Sequence, residues 1–171
     1  MKTIRLLILL LISSFISCES GNETGANSDY DNDMETIGHW AENPKVTREA
    51  SHSGKYATFT DTTNIYSQTL SLTVKDIKQT EIKSIYASCW VLNSSQESKG
   101  KLVLSVEKEG KNIVWQGIET NKSTYVANKW SEVKMQVDLK EKLTGDMVIK
   151  LYGVNDGKFK IYWDDFNIDF K

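Results

Sequence analysis

From residue 55 onward the chain alternates apolar and polar positions with a period of two. The runs KYATFTD and YSQTLSLTV come first, then IKSIYASCWVLN, KLVLSVEKEG, NIVWQGIET, KWSEVKMQVDL, DMVIKLYGV and KFKIYWDDFNIDF. Each is short, rich in Val, Ile, Tyr, Trp and Thr, and bounded by Gly, Asn, Asp or Ser, as strands and their turns are. No window longer than a turn or two keeps a helical period, and no internal repeat is visible. The single proline, Pro44, precedes all of these runs, so it breaks no ladder. Eight such runs in one unit predict an all-β fold, a two-sheet antiparallel β-sandwich of the jelly-roll kind.

Parity sorts the side chains, because successive residues of a strand point to opposite faces. Leu102, Leu104 and Val106 share one face of their run, and Val133, Met135, Val137 and Leu139 share one of theirs. Ile85, Ala87, Cys89 and Val91 form a core face. The opposite face carries Ser84, Tyr86, Ser88 and Trp90, aromatic and hydroxylic rather than charged. The last run holds a difficulty. Strict alternation puts Asp164 with Tyr162, Phe166, Ile168 and Phe170, the side that reads as core, and Asp165 on the other side. A lone buried carboxylate is costly, so Asp164 is expected to be neutralised, hydrogen-bonded, at the wet rim, or bound to a cation.

The N-terminus does not belong to this pattern. Lys2 and Arg5 precede an apolar run, residues 6–16, interrupted only by Ser13 and Ser14. That is shorter than the roughly 20 residues of a spanning helix and reads as a signal peptide over residues 1–17. The FISC that closes it resembles a bacterial lipobox, which implies a lipidated Cys18 as the first mature residue and attachment to a membrane; the other reading is an ordinary secreted protein. With Cys18 acylated, Cys89 has no disulfide partner and reads as a small buried hydrophobe. Residues 18–33 carry Glu19, Glu23, Asp29, Asp31 and Asp33 and no base. They are too polar to fold alone and read as a flexible tether. Acid directly after the cysteine also resembles the export signal of Bacteroidota lipoproteins, which implies the outer membrane and its cell-surface side; the periplasmic face or secretion are the alternatives. Residues 34–171 are then the folded domain. Outside signal and tether, 19 basic residues balance 18 acidic ones. No basic patch interleaved with aromatics stands out, so nucleic acid is not an expected partner.

Three segments suggest a family: METIGHW (34–40), the turn ASHSGKYA (50–57) and the closing IYWDDFNIDF. Their order and spacing resemble the galactose-binding-like jelly rolls, especially the carbohydrate-binding modules of xylanases and cellulases, over roughly residues 30–170. The resemblance implies a structural calcium ion near the junction of the N-terminal strand, the HSGKY turn and the last strand. Glu35 and Asp164 would supply carboxylate oxygens and the backbone around Ser53 and Lys55 carbonyls, a donor set of the kind calcium prefers. The alternative for Asp164 is a carboxylate accepting hydrogen bonds at the sandwich rim. A carbohydrate partner would meet aromatic rings on its C–H faces and polar groups at its edge. Tyr86 and Trp90, about 13 Å apart on one non-core face, are the first candidates. Trp115, Tyr152 and Trp163 could line the same or an adjacent surface, with Ser84, Ser88, Gln116 and Lys150 as hydrogen-bonding groups. Against this, a sandwich with five Trp and seven Tyr must pack most of them.

Catalytic machinery is sparse. Of two histidines, His39 adjoins Trp40 and His52 lies in the HSGKY turn; both read as turn residues, and no Cys or His spacing suggests zinc. There is no GxSxG elbow, P-loop or GxGxxG. A small jelly-roll glycosidase would need two carboxylates across a cleft, for which Glu107 or Glu132 with Glu119 are the candidates. The expected function is a non-catalytic, lipid-anchored protein that binds a glycan. The alternative is a structural lipoprotein that uses the same fold against a protein partner in an envelope complex.

Overall fold

The computed structural model describes residues 30–35, 45–79, 81–121 and 126–171. The signal segment, Cys18, most of the tether, His39, Trp40 and Pro44 lie outside the described residues. Ten strands follow in chain order: β1 (Asp31–Asn32), β2 (Val46–Thr47), β3 (Ala57–Thr60), β4 (Leu70–Thr73), β5 (Ser84–Asn93), β6 (Gly100–Lys108), β7 (Lys111–Glu119), β8 (Trp130–Asp138), β9 (Val148–Asn155) and β10 (Ile161–Phe170). The eight alternating runs are β3 to β10. β1 and β2 have two residues each, too few to leave a period. A 3₁₀ turn, Val74–Asp76, follows β4.

The strands form two antiparallel sheets. One has the order β2-β3-β10-β5-β8, with β1 also paired to β10; the other is β4-β9-β6-β7. The sandwich predicted from alternation is the fold observed. Between the sheets lie Ile85, Ala87, Cys89 and Val91 of β5, Leu102, Leu104 and Val106 of β6, and Ile149 and Leu151 of β9. In β5, β6 and β9 every second residue enters this layer, which is what period two requires.

β10 departs from that rule, and the departure resolves the paired aspartates. Ile161 and Trp163 face the core, but further on Phe166 and Ile168 do. Asp164 pairs with Trp90 and Asn167 with Ser88, so β10 takes three steps where β5 takes two. This is a β-bulge, and one extra residue exchanges the faces of everything beyond it. Asp165 sits in the bulge with φ of 48°, a left-handed conformation that Asp adopts more readily than most residues. The single-face reading of β10 is therefore corrected. Tyr162 and Asp164 lie on the side away from the core, where Asp164 is nonetheless buried, and the parity that groups them with Phe166 and Ile168 fails at the bulge.

Trp163 is also corrected, from candidate ligand residue to core residue. It is fully buried, and its Nε1–H donates to Thr60 Oγ1 at 3.0 Å. The indole lies flat on Gly153, where a Cβ would come within 2.3 Å of it. Glycine is required there by close approach, whatever its dihedrals.

Candidate functional site

The four-stranded sheet turns Val103, Ser105 and Glu107 outward, because Leu102, Leu104 and Val106 point inward. Trp115 and Lys150 flank Ser105 on the two neighbouring strands, as Gly117 and Tyr152 flank Val103. Directly opposed residues share a face. Trp115, Ser105 and Lys150 thus form a row across three strands, and Ser71, opposite Lys150 on β4, extends it to about 14 Å. Tyr152 begins the next row and meets the ring of Tyr66 edge-on at 5.9 Å. Trp115 is 54% exposed and Tyr66 49%, while Val103 and Ser105 beneath are fully buried. Trp115 leans over Gly117, where a Cβ would stand 3.1 Å from its ring.

Charge on this face is internally matched. Lys150 Nζ donates to Glu107 Oε2 at 2.7 Å, and Lys101 Nζ donates to Asp156 Oδ2 at 2.6 Å. Asp156 raises the pKa of Lys101 through that bond and its charge. The face therefore offers broad aromatic planes, donors and acceptors, but no unmatched cation among these residues. Such a combination suits a ligand with apolar faces and a rim of hydroxyls.

The second constellation lies at the bulge. β3 and β1 flank the same side of β10, at Ile161–Trp163 and at Phe166–Asn167 respectively. The gap between them leaves Asp164 and Asp165 beside the 51–55 turn. Asp164, fully buried, accepts on Oδ2 from the amides of His52 at 2.7 Å and Ser53 at 3.2 Å, and on Oδ1 from the amide of Asp165 at 2.9 Å. Burial pushes its pKa up to about 6, with a contribution from the charge of Asp165 and against the pull of the three amides. Asp165 accepts from Ser53 Oγ at 2.6 Å and lies 2.5 Å from His52 Nδ1. Glu35 Oε1 accepts from the amides of Lys55 and Tyr56 at 2.6 and 2.7 Å. Its carboxyl fills the space over Gly54, which has φ of +54°, a turn conformation that favours glycine.

Glu35, Ser53, Lys55 and Asp164 thus gather at one corner, but not as a cage for calcium. The turn presents amide protons to the two carboxylates, the wrong end of the peptide dipole for an ion that takes six to eight oxygens. Among the described residues no three of His, Cys, Asp and Glu group to hold a metal. In this arrangement the residues do not fit the ion, and the corner is closed by hydrogen bonds.

The sequence-predicted aromatics divide. Trp115 and Tyr152 share the outer face of the four-stranded sheet. Tyr86 and Trp90 lie on the outer face of the other sheet, half-buried, beside a groove of about 470 Å³ that also touches Glu132, Asp165 and Asp169. Trp90 already carries a ring: the imidazole of His52 stacks on it at 3.8 Å and 11°. Gln116 pairs with Leu104 and so lies on the other side of β7 from Trp115. The carboxylate pairs considered for a glycosidase do not face one another. Glu132 pairs with Trp90, on the sheet opposite to Glu107. Glu119 pairs with Lys101, six residues or about 20 Å along β6 from Glu107, far beyond the 5–10 Å such pairs need. Sequence reasoning missed Ser105 and Tyr66. Ser105 was visible as a small polar position on the non-core parity of LVLSVEK; Tyr66 reaches the site only through its bridge to Val154, which nothing local announces.

No protein-family model and no curated protein matches the chain. Among solved structures it is similar to the CBM22-2 xylan-binding domain of Paenibacillus barcinonensis Xyn10C, with a TM-score of 0.57 and 13% identity over 83% of this chain and 99% of that one. It is similar also to Family 16 Carbohydrate Binding Module-2, with a TM-score of 0.51 and 9% identity over 78% and 92% of the two chains. The likeness is one of fold.

Proposed function

We propose that this jelly roll, which has the fold of carbohydrate-binding modules, is a non-catalytic, lipid-anchored envelope protein that binds an uncharged poly- or oligosaccharide on the outer face of its four-stranded sheet. The observation that carries the reading is the row Trp115–Ser105–Lys150, with Tyr152 and Tyr66 beside it. A pyranose stacks on the exposed indole, and Lys150 and Glu107 meet its hydroxyls as donor and acceptor. Because Lys101 and Lys150 on this face are held by carboxylates, a uronate gains little from them, and the ligand of this reading is neutral. The site differs from the Tyr86–Trp90 face expected from parity, where His52 occupies the larger ring.

Native gels cast with xylan, β-glucan, glucomannan or polygalacturonate test this. At least one neutral polymer should retard the protein and polygalacturonate should not. Trp115→Ala should abolish the retardation while shifting the melting temperature by less than about 2 °C, since a half-exposed side chain carries little of the core. Trp90→Ala should keep it. No retardation in any polymer would overturn the reading. A second reading, an interaction lipoprotein with a protein partner, is favoured by one feature. Ile113, 44% exposed, and Trp115 border a groove of about 530 Å³ that runs to Leu139 and Leu143. Copurification of a stoichiometric envelope protein, lost in Ile113→Lys, would support it.

Anchoring rests on FISC and the acidic stretch after it. Cells fed an alkynyl fatty acid should label the wild type, and Cys18→Ala should lose the label and leave the membrane fraction. Persistent label in the variant would place the lipid elsewhere. Protease shaving of intact cells reads the surface location, and protection there would favour the periplasmic side.

A further inference from the structure

Ser105 stands out on the proposed binding face. It is fully buried, and its Oγ has no hydrogen-bond partner among the described residues. A hydroxyl taken from water without a partner is destabilising, and native structures hold few such groups. Its position is specific. It lies at the centre of the site, between Trp115 on β7 and Lys150 on β9, with the Lys150–Glu107 ion pair beside it. Its parity directs the side chain outward, towards the ligand face rather than into the core. An apolar residue of similar size would cost the fold nothing at this point.

We infer that Ser105 is a specificity-determining residue whose partner is supplied by the ligand: a hydroxyl of the neutral saccharide stacked on Trp115. This rests on the proposed binding face and adds to it a residue that no aromatic or charge pattern marks. Reaching Oγ requires the neighbouring side chains to part. Lys150 and Glu107 can do so, because their side chains are 34% and 23% exposed and each ends on a flexible stem. A ligand hydroxyl that inserts between them accepts from Lys150, and Ser105 Oγ, able both to donate and to accept, completes its shell. A sugar lacking a hydroxyl at that point leaves Ser105 unpaired and is bound more weakly.

The test compares the full-length chain in non-ionic detergent with Ser105→Ala and Trp115→Ala, in melting experiments and in native gels with soluble xylan, mixed-linkage β-glucan and glucomannan. Ser105→Ala should melt no lower than the wild type, and should weaken binding to the retarding polymer by about 3- to 10-fold, the range of one uncharged hydrogen bond. Ser105→Thr, which keeps the hydroxyl, should bind more tightly than Ser105→Ala. A lower melting temperature in Ser105→Ala would show a partner inside the fold and overturn the inference. So would undiminished affinity in Ser105→Ala alongside loss in Trp115→Ala, an outcome that leaves the binding face standing. A wild type that binds none of the polymers overturns both.

Discussion

Asp164→Ala should lower the melting temperature by about 10 °C. Three amides, those of His52, Ser53 and Asp165, end on this one carboxylate. Its removal leaves them facing a buried gap, at roughly 1 kcal/mol or more apiece, and a loss of about 3 kcal/mol translates into about that shift. The 51–55 turn would come loose and uncover Trp90, so quenching of tryptophan fluorescence should increase in parallel. The same residue gives a pH signature. In the unfolded chain its carboxyl titrates near the ordinary 3.8, and in the fold near 6. The folded state therefore binds the proton more tightly. This contribution to stability is complete below about 4 and is lost as pH rises through 6. On acidification from pH 7.5 to 5 the stability should rise by about 1.4 kcal/mol at most, read as an increase in melting temperature that Asp164→Asn lacks. A wild type and Asp164→Asn with parallel pH profiles would refute the assignment. Melts with calcium and with chelator read the metal expectation. The amide-closed corner predicts curves indifferent to both, and a calcium-dependent rise that vanishes in Asp164→Ala would put an ion there after all.

Trp163→Ala should be about as damaging, at about 3–5 kcal/mol. The indole is the largest fully buried side chain among the described residues, and its loss opens a cavity between the sheets and strands the hydroxyl of Thr60, which now accepts from Nε1. Gly153→Ala attacks the same contact from the other side. Its methyl would stand 2.3 Å from the ring, and the backbone of β9 cannot yield without shifting its ladder to β6. A cost of about 1–3 kcal/mol is expected from overpacking. Urea unfolding midpoints measure both. Near-native stability of Trp163→Ala with loss of glycan retention would return the residue to the ligand surface.

How much of this was legible beforehand depends on the range of the interactions. Eight strands and most of their core faces followed from alternation, because a strand that buries one side must repeat every second residue, and β5 does so from Ile85 to Val91. The same rule failed on β10, because a bulge is a property of two strands counted against each other: no residue of IYWDDFNIDF says that β5 will take one step fewer. Trp163 and Asp164 changed faces for that single reason. The corner residues Glu35, Ser53, Lys55 and Asp164 came together as the resemblance implied, yet whether the turn offers carbonyls or amides to the carboxylates is set by its backbone dihedrals. The aromatic positions were correctly identified as strand residues, but which of the two outer faces each one occupies depends on sheet membership. That pairing is long-range, and it separated Trp115 and Tyr152 from Tyr86 and Trp90. Local alternation, then, was enough to determine the sandwich. Only the packing of distant strands decided which aromatic stayed exposed, which was covered by a histidine, and which buried serine was left without a partner.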